Sequence, residues 1–168
     1  MKIAICQINP TVGAINANRD KIIDWYQKAV EAGVGLVIFP ELAIMGYPPQ
    51  DLLLRDKFIA QAGDALSYIA KRSTVPMIVG NGNYEGRNLY NSAFVCADGH
   101  VLGYYSKMLL PTYDVFDEVR YFSPGETTGV LEIEIETEKI KIGLQICEDL
   151  WDENYACNIT DSLKDKGA

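Results

Sequence analysis

Apolar residues along this chain fall into short runs and helical stripes separated by polar loops. Lys2 to Ile8 reads as a buried strand. Thr11 to Asn18 is a polar connection, and Asn18 is placed to cap a helix running to about Ala32. Ile22, Tyr26, Ala29 and Val30 form its apolar face, and Gly33 closes it. Leu36-Val37-Ile38-Phe39, flanked by Gly35 and Pro40, reads as a second buried strand. After a loop with Gly46, Pro48 and Pro49, Asp56 to Arg72 is expected to be helical, with Ile59, Ala62, Leu66, Ile69 and Ala70 on one side. Pro76 to Gly80 reads as a strand. Leu89 to Ala97 and Val101 to Ser106 form an expected hairpin around Asp98-Gly99, with His100 as a turn residue.

Met108 to Gly125 is long and irregular, and Tyr113, Phe116, Tyr121 and Phe122 argue against disorder there. Leu131, Ile133 and Ile135 alternate with glutamates as in a half-exposed strand. Ile140, Ile142, Leu144 and Ile146 alternate again, predicting a strand that ends at Cys147, with the turn at Glu136 to Lys139. A short helix is expected beyond Trp151, with Gly167 near its end. Strands and helices alternate, then hairpins follow, which implies a layered α/β fold. The pattern breaks off where a helix would hand over to a further strand, so the reading expects a piece of a larger protein.

Composition narrows the chemistry. The 15 basic and 23 acidic residues leave a net charge of −8, a poor match to nucleic acid or anionic lipid. No apolar run approaches the ~20 residues of a membrane span, and no signal peptide is recognisable. The four cysteines, Cys6, Cys96, Cys147 and Cys157, lack C-x-x-C spacing, which favours free thiols in a reducing, cytoplasmic setting. With one histidine and no ligand cluster, no metal site is expected.

Three polar residues stand where buried strands end. Glu41 follows Val37-Ile38-Phe39-Pro40, Lys107 follows Gly103-Tyr104-Tyr105-Ser106, and Cys147 follows Gly143-Leu144-Gln145-Ile146. Ligands gather at the carboxyl ends of strands in α/β sheets, so the three can converge. Each alone has an ordinary reading: a helix-end charge, a solvated lysine, a small core thiol. Glu148 and Asp149 beside Cys147 suggest a strand exit into a polar place. They also raise a thiol pKa, so a thiolate would need a cation such as Lys107. With His100 in a tight turn, the base for a catalytic thiol is a carboxylate or an amine.

The blocks Phe39-Pro40-Glu41, Tyr105 to Pro111 and Ile146-Cys147-Glu148-Asp149-Leu150-Trp151 resemble, in order and spacing, the signature blocks of the nitrilase superfamily of carbon–nitrogen hydrolases. The resemblance covers essentially the whole chain. Gly46-Tyr47-Pro48-Pro49-Gln50-Asp51-Leu52-Leu53, and Leu110 to Glu118 with Tyr121-Phe122, are similar to the N-terminal glutaminase domain of glutamine-dependent NAD+ synthetases. The resemblance implies an α-β-β-α sandwich, incomplete at its C-terminus, with residues 1–168 the first part of the domain. About a hundred further residues and a synthetase domain are expected beyond it.

It also implies a Glu41–Lys107–Cys147 triad that hydrolyses glutamine through a cysteine thioester. The backbone N–H of Glu148 would be a second oxyanion donor. Glu118 would orient Lys107 or the substrate amide, and Tyr47 and Tyr113 resemble substrate-pocket residues. No cofactor is implied for the glutaminase part; ATP and Mg belong to the synthetase domain. Glutamine, that C-terminal NAD+ synthetase domain and further copies of the chain are the implied partners. Two other readings stay open: a stand-alone amidase acting on another small amide, and a non-catalytic binding module.

Overall fold

A computed structural model describes residues 1–168. Its elements run β1 (Ile3–Ile5), α1 (Ile15–Glu31), β2 (Leu36–Ile38), α2 (Asp56–Ala70), β3 (Met77–Glu85), β4 (Asn88–Ala97), β5 (His100–Ser106), β6 (Gly129–Ile135), β7 (Glu138–Leu144) and α3 (Ile159–Asp165). Strands β1 to β5 form one sheet in sequence order. β1, β2 and β3 are parallel; β3, β4 and β5 are antiparallel. β6 and β7 form a separate antiparallel pair.

Alternation of side chains across the strands sorts the core into layers. On one face of the large sheet, Val37, Val79 and Phe94 meet Ile22 and Tyr26 of α1 and Phe58, Ala62 and Ile69 of α2. On the other face, Leu36, Ile78, Val95 and Tyr105 meet Ile133, Ile135 and Leu144 of the small sheet. α3 lies outside that small sheet, where a Cβ on Gly143 would touch Leu163. The order is therefore helix, sheet, sheet, helix, as the family resemblance implies.

Two of the three hairpins turn at adjacent residues of positive φ. These are Asp98 (51°) and Gly99 (80°) between β4 and β5, and Glu136 (50°) and Thr137 (72°) between β6 and β7. Such turns match the right-handed twist of the flanking strands. His100 opens β5, exposed. The β6–β7 hairpin is tighter than the four-residue turn expected from sequence, and β7 stops at Leu144, three residues short of Cys147.

Two further expectations change. Asn18 does not cap α1. The helix begins at Ile15, and Asn18 is buried inside its first turn. The Asn18 side chain accepts from Thr11 N–H (2.8 Å) and donates to the carbonyls of Thr11 (2.8 Å) and Ile44 (3.0 Å). It therefore pins two loops instead of ending a helix. β3 also runs past Gly80 to Glu85, through residues that look like turn formers. Gly80 and Gly82 serve close approach instead: a Cβ at Gly80 would lie 2.3 Å from the backbone N of Leu42, and one at Gly82 2.7 Å from Met45 Cε.

The brace at Asn18 carries a prediction. Asn18→Ala strands buried backbone groups of Thr11 and Ile44, at about 1–3 kcal/mol for each group left without a partner. An overall loss of about 2–4 kcal/mol is expected in urea unfolding. A loss no larger than that of an exposed helix substitution contradicts the brace.

Candidate active site

The loops after β2, β5 and β7 deliver Glu41, Lys107 and Cys147 to one place. The loop after β2 turns sharply, with Leu42 at φ 46°, and rests on Gly80 of β3. Leu42, Ala43, Ile44 and Met45 are fully buried behind it. Glu41 is therefore aimed by packing on its neighbours. Lys107 directly follows β5, held at its backbone by Asn91 O (2.8 Å from Lys107 N) and Gly125 N (2.8 Å from Lys107 O). A Cβ on Gly125 would come within 2.1 Å of Ser106 O, so only glycine permits that approach. Cys147 opens a 3₁₀ segment, Cys147–Asn154, with φ at 49°. A left-handed backbone at a non-glycine residue is strained, and such strain clusters at functional positions.

Lys107 is 0 % exposed. Its Nζ lies 2.8 Å from Glu41 Oε1 and 2.9 Å from Glu118 Oε1. Burial alone would lower the pKa of the ammonium. The two carboxylates outweigh it and hold that pKa above the ordinary lysine value. Burial pushes the Glu118 carboxyl up, and Lys107 opposes that push. Tyr47 donates to Glu118 (2.8 Å), and Asn91 Nδ2 donates to Glu41 (2.7 Å). The result is a closed network of one cation, two carboxylates and two neutral donors.

Cys147 lies exposed at the edge of this network. Glu41, Asn91 and Cys147 line one cavity of about 270 Å³ that opens between β3, β4 and the end of β7. Burial of the thiol raises its pKa most; the charge of Glu41 adds to this, and Lys107 opposes it. The net shift is upward. Lys107, the cation that a standing thiolate would need, is therefore outweighed here. Two carboxylates already answer the ammonium charge, so the thiol keeps its proton at neutral pH and a carboxylate stands beside it to take it.

The other sequence candidates divide. Glu118 joins the lysine, as expected from its resemblance, and Tyr47 reaches the site through Glu118. Tyr113 and Glu148 sit together, lining a separate cavity with Trp151, Asn154 and Tyr155. Glu148 is buried and accepts from Tyr113 (2.7 Å) and Tyr155 (2.6 Å), and Tyr113 packs edge-on against Phe116. Hydrogen bonding to Glu148 raises the Tyr155 phenol to about 12.

Sequence reading missed Asn91, Gly80 and the part played by Asp149. Asn91 and Ser92 interrupt an otherwise apolar β4, and both are buried. Two polar residues inside a buried strand were the available signal. Asp149 was read only as a second negative charge near the thiol. It is 0 % exposed and fully engaged with backbone and Tyr105.

A carbon-nitrogen hydrolase model matches residues 2–160. The glutamine-dependent NAD(+) synthetase of Thermotoga maritima is 40% identical over 154 residues, covering 90% of this chain and 26% of that protein. Its counterpart in Acinetobacter baylyi is 41% identical over 155 residues, covering 91% and 28%. The chain thus spans little more than a quarter of the length of these curated relatives. The solved glutamine-dependent NAD+ synthetase from Acinetobacter baumannii superposes with a TM-score of 0.89 at 36% identity, covering 99% of this chain and 30% of that one. An amidase from Nesterenkonia sp. superposes at 0.75 and 26% identity, covering 89% and 56%.

Replacing the central cation tests the network. Lys107→Met leaves Glu41 and Glu118 facing each other without their partner, and breaking a buried pair costs about 3–5 kcal/mol. In the variant Glu118 loses the ammonium that opposes the upward push of burial, so its folded pKa lies further above its unfolded one. That penalty is present at neutral pH and fades as the pH falls toward the ordinary glutamate value of 4.5. Urea unfolding at several pH values is expected to show the deficit shrinking on acidification. A deficit that stays constant with pH contradicts the network.

Proposed function

The chain belongs to the carbon–nitrogen hydrolase family, and from that premise we propose that it is a glutaminase whose nucleophile is Cys147. The observation that carries this reading is the ion pair of Glu41 with Lys107 at 2.8 Å, together with the cavity that Glu41 shares with an exposed Cys147. The similarity to glutamine-dependent NAD(+) synthetases supports glutamine as the amide. In a Glu-to-Gln mutant of a Nesterenkonia amidase, at 26% identity, the active-site cysteine undergoes Michael addition of acrylamide, which supports a reactive cysteine in this fold.

The steps follow from the residues present. Sγ of Cys147 attacks the side-chain amide carbon, and Glu41 takes the thiol proton as the C–S bond forms. A raised thiol pKa makes that base necessary, because little thiolate is present beforehand. The amide oxygen gains negative charge. Two of the three N–H donors of Lys107 go to Glu41 and Glu118. The third, with the backbone N–H of Glu148, is assigned to the oxyanion. Glu41 returns its proton to the leaving nitrogen, which departs as ammonia. A thioester remains on Cys147. Water, deprotonated by Glu41, then releases glutamate and restores the thiol.

Glu118 holds Lys107 in place and is itself held by Tyr47. Tyr113 pairs with Glu148, the residue after Cys147 in the chain, and the two are assigned to the amino-acid end of the substrate. The reaction needs no cofactor. The ammonia is proposed to serve a C-terminal synthetase domain that amidates deamido-NAD+ with ATP and Mg. No helix is long and apolar enough to cross a membrane, and a cytoplasmic setting suits that role.

Ammonia release from glutamine by the intact natural protein tests this. Cys147→Ala is expected to lower it at least about a thousandfold, and Glu41→Gln by roughly a hundredfold or more. Undiminished release by Cys147→Ala overturns the reading.

A further inference from the structure

Asp149 is buried two residues after Cys147 and does not face the cavity lined by Glu41 and Cys147. Its carboxylate accepts four hydrogen bonds. Oδ2 receives the Tyr105 hydroxyl (2.8 Å) and the N–H of Ile146 (2.9 Å). Oδ1 receives the N–H groups of Leu109 (2.9 Å) and Met108 (3.2 Å). The donors bracket both functional loops. Ile146 immediately precedes Cys147. Tyr105 and Met108 flank Lys107 on either side. One side chain thus joins the backbone that carries the thiol to the backbone that carries the ammonium.

Two further bonds close the same turn: Asp149 N–H donates to Ile146 O (3.1 Å), and Gln145 Nε2 donates to Asp149 O (2.9 Å). Within it Cys147 holds its left-handed φ of 49°. A conformation of that kind persists only where the surroundings over-determine it. Burying an ionised carboxylate is costly unless its lone pairs are satisfied, and here all four sites are taken. The cost is met by backbone N–H groups that would otherwise lack partners at the two loop starts.

We propose that Asp149 is a positioning residue that sets the separation of Cys147 from Lys107 and Glu41 by clamping the two loops. It takes no proton and touches no substrate. Misplacement of a reacting group by about 1 Å can cost about a hundredfold in rate, so a clamp of this kind has kinetic leverage.

Alkylation of Cys147 by iodoacetamide across pH, read by mass spectrometry of its peptide, reports the surroundings of the thiol. The charged groups acting on it are Glu41, Lys107 and Glu118. In the unsubstituted protein the midpoint is expected above the ordinary thiol value of 9.0. Asp149→Asn keeps the shape but turns one acceptor into a donor against N–H groups. The midpoint is expected to move down toward the ordinary value as the thiol moves away from the Glu41 charge and into fuller contact with solvent. Losing a negative charge would by itself also lower it, so Tyr105→Phe separates the two effects. That variant removes one of the four donors and no charge, and a smaller shift in the same direction is expected.

Taking Cys147 as the nucleophile of the proposed glutaminase, kcat for ammonia release from glutamine should fall about 10- to 100-fold in Asp149→Asn. KM should stay within about twofold of the starting value, since no substrate contact is lost. An alkylation profile unchanged in Tyr105→Phe overturns the clamp, whether Asp149→Asn folds or not. So does a folded Asp149→Asn variant with an unchanged midpoint. If both variants shift the profile while the unsubstituted protein releases no ammonia, the clamp stands and the glutaminase reading fails.

Discussion

Everything at the site depends on one ammonium buried between two carboxylates. A lysine with no exposed surface is stable as a cation only if opposite charges meet it at hydrogen-bond distance. Glu41 and Glu118 do so at 2.8 and 2.9 Å. They come from the loop after β2 and the long aromatic loop after β5, so the charge requirement fixes two loops relative to the end of β5. Tyr47 adds a hydrogen bond to Glu118 and Asn91 adds one to Glu41. The long segment from Met108 to Gly125 is ordered for the same reason. Its Glu118 is needed at the lysine, and its aromatic side chains cover what the carboxylate leaves apolar.

The same network decides the chemical style of the cysteine. A lone cation beside a thiol gives a ready thiolate. Here the cation is already answered twice, and burial with the charge of Glu41 keeps the proton on sulfur. In the proposed glutaminase reaction, nucleophilic power then comes from proton transfer during attack, with Glu41 as the base. A second buried carboxylate, Asp149, works on a separate principle: it binds backbone N–H groups and holds the geometry in which that transfer can occur. A partly exposed acidic side chain, Glu41, and a wholly buried one, Asp149, thus divide chemistry from architecture.

Much of this was legible in the sequence. Apolar periodicity located all three helices and every strand, because each buries one face against a neighbouring layer. The residues after the apolar runs, Glu41, Lys107 and Cys147, were legible as candidates because strand ends in α/β folds collect function. The misses share a physical cause: local sequence does not reveal long-range partners. Asn18 looked like a cap, yet its partners are Thr11 and Ile44 across a loop. Gly80 looked like the end of a strand, yet β3 runs on through it, and Gly80 and Gly82 are small because the Glu41 loop and Met45 press on the strand. Asp149 looked like a charge that raises the thiol pKa, yet its partners lie some forty residues away at Met108 and Leu109.

The most direct measurement is rapid acid quench of the intact natural protein during turnover of glutamine, followed by peptide mass analysis. A γ-glutamyl group on the peptide containing Cys147 is the expected species. It should be absent in Cys147→Ala and should form more slowly in Glu41→Gln. Turnover that proceeds with no acyl group ever found on residue 147, or with one found on Cys157 instead, would contradict a mechanism built on that sulfur.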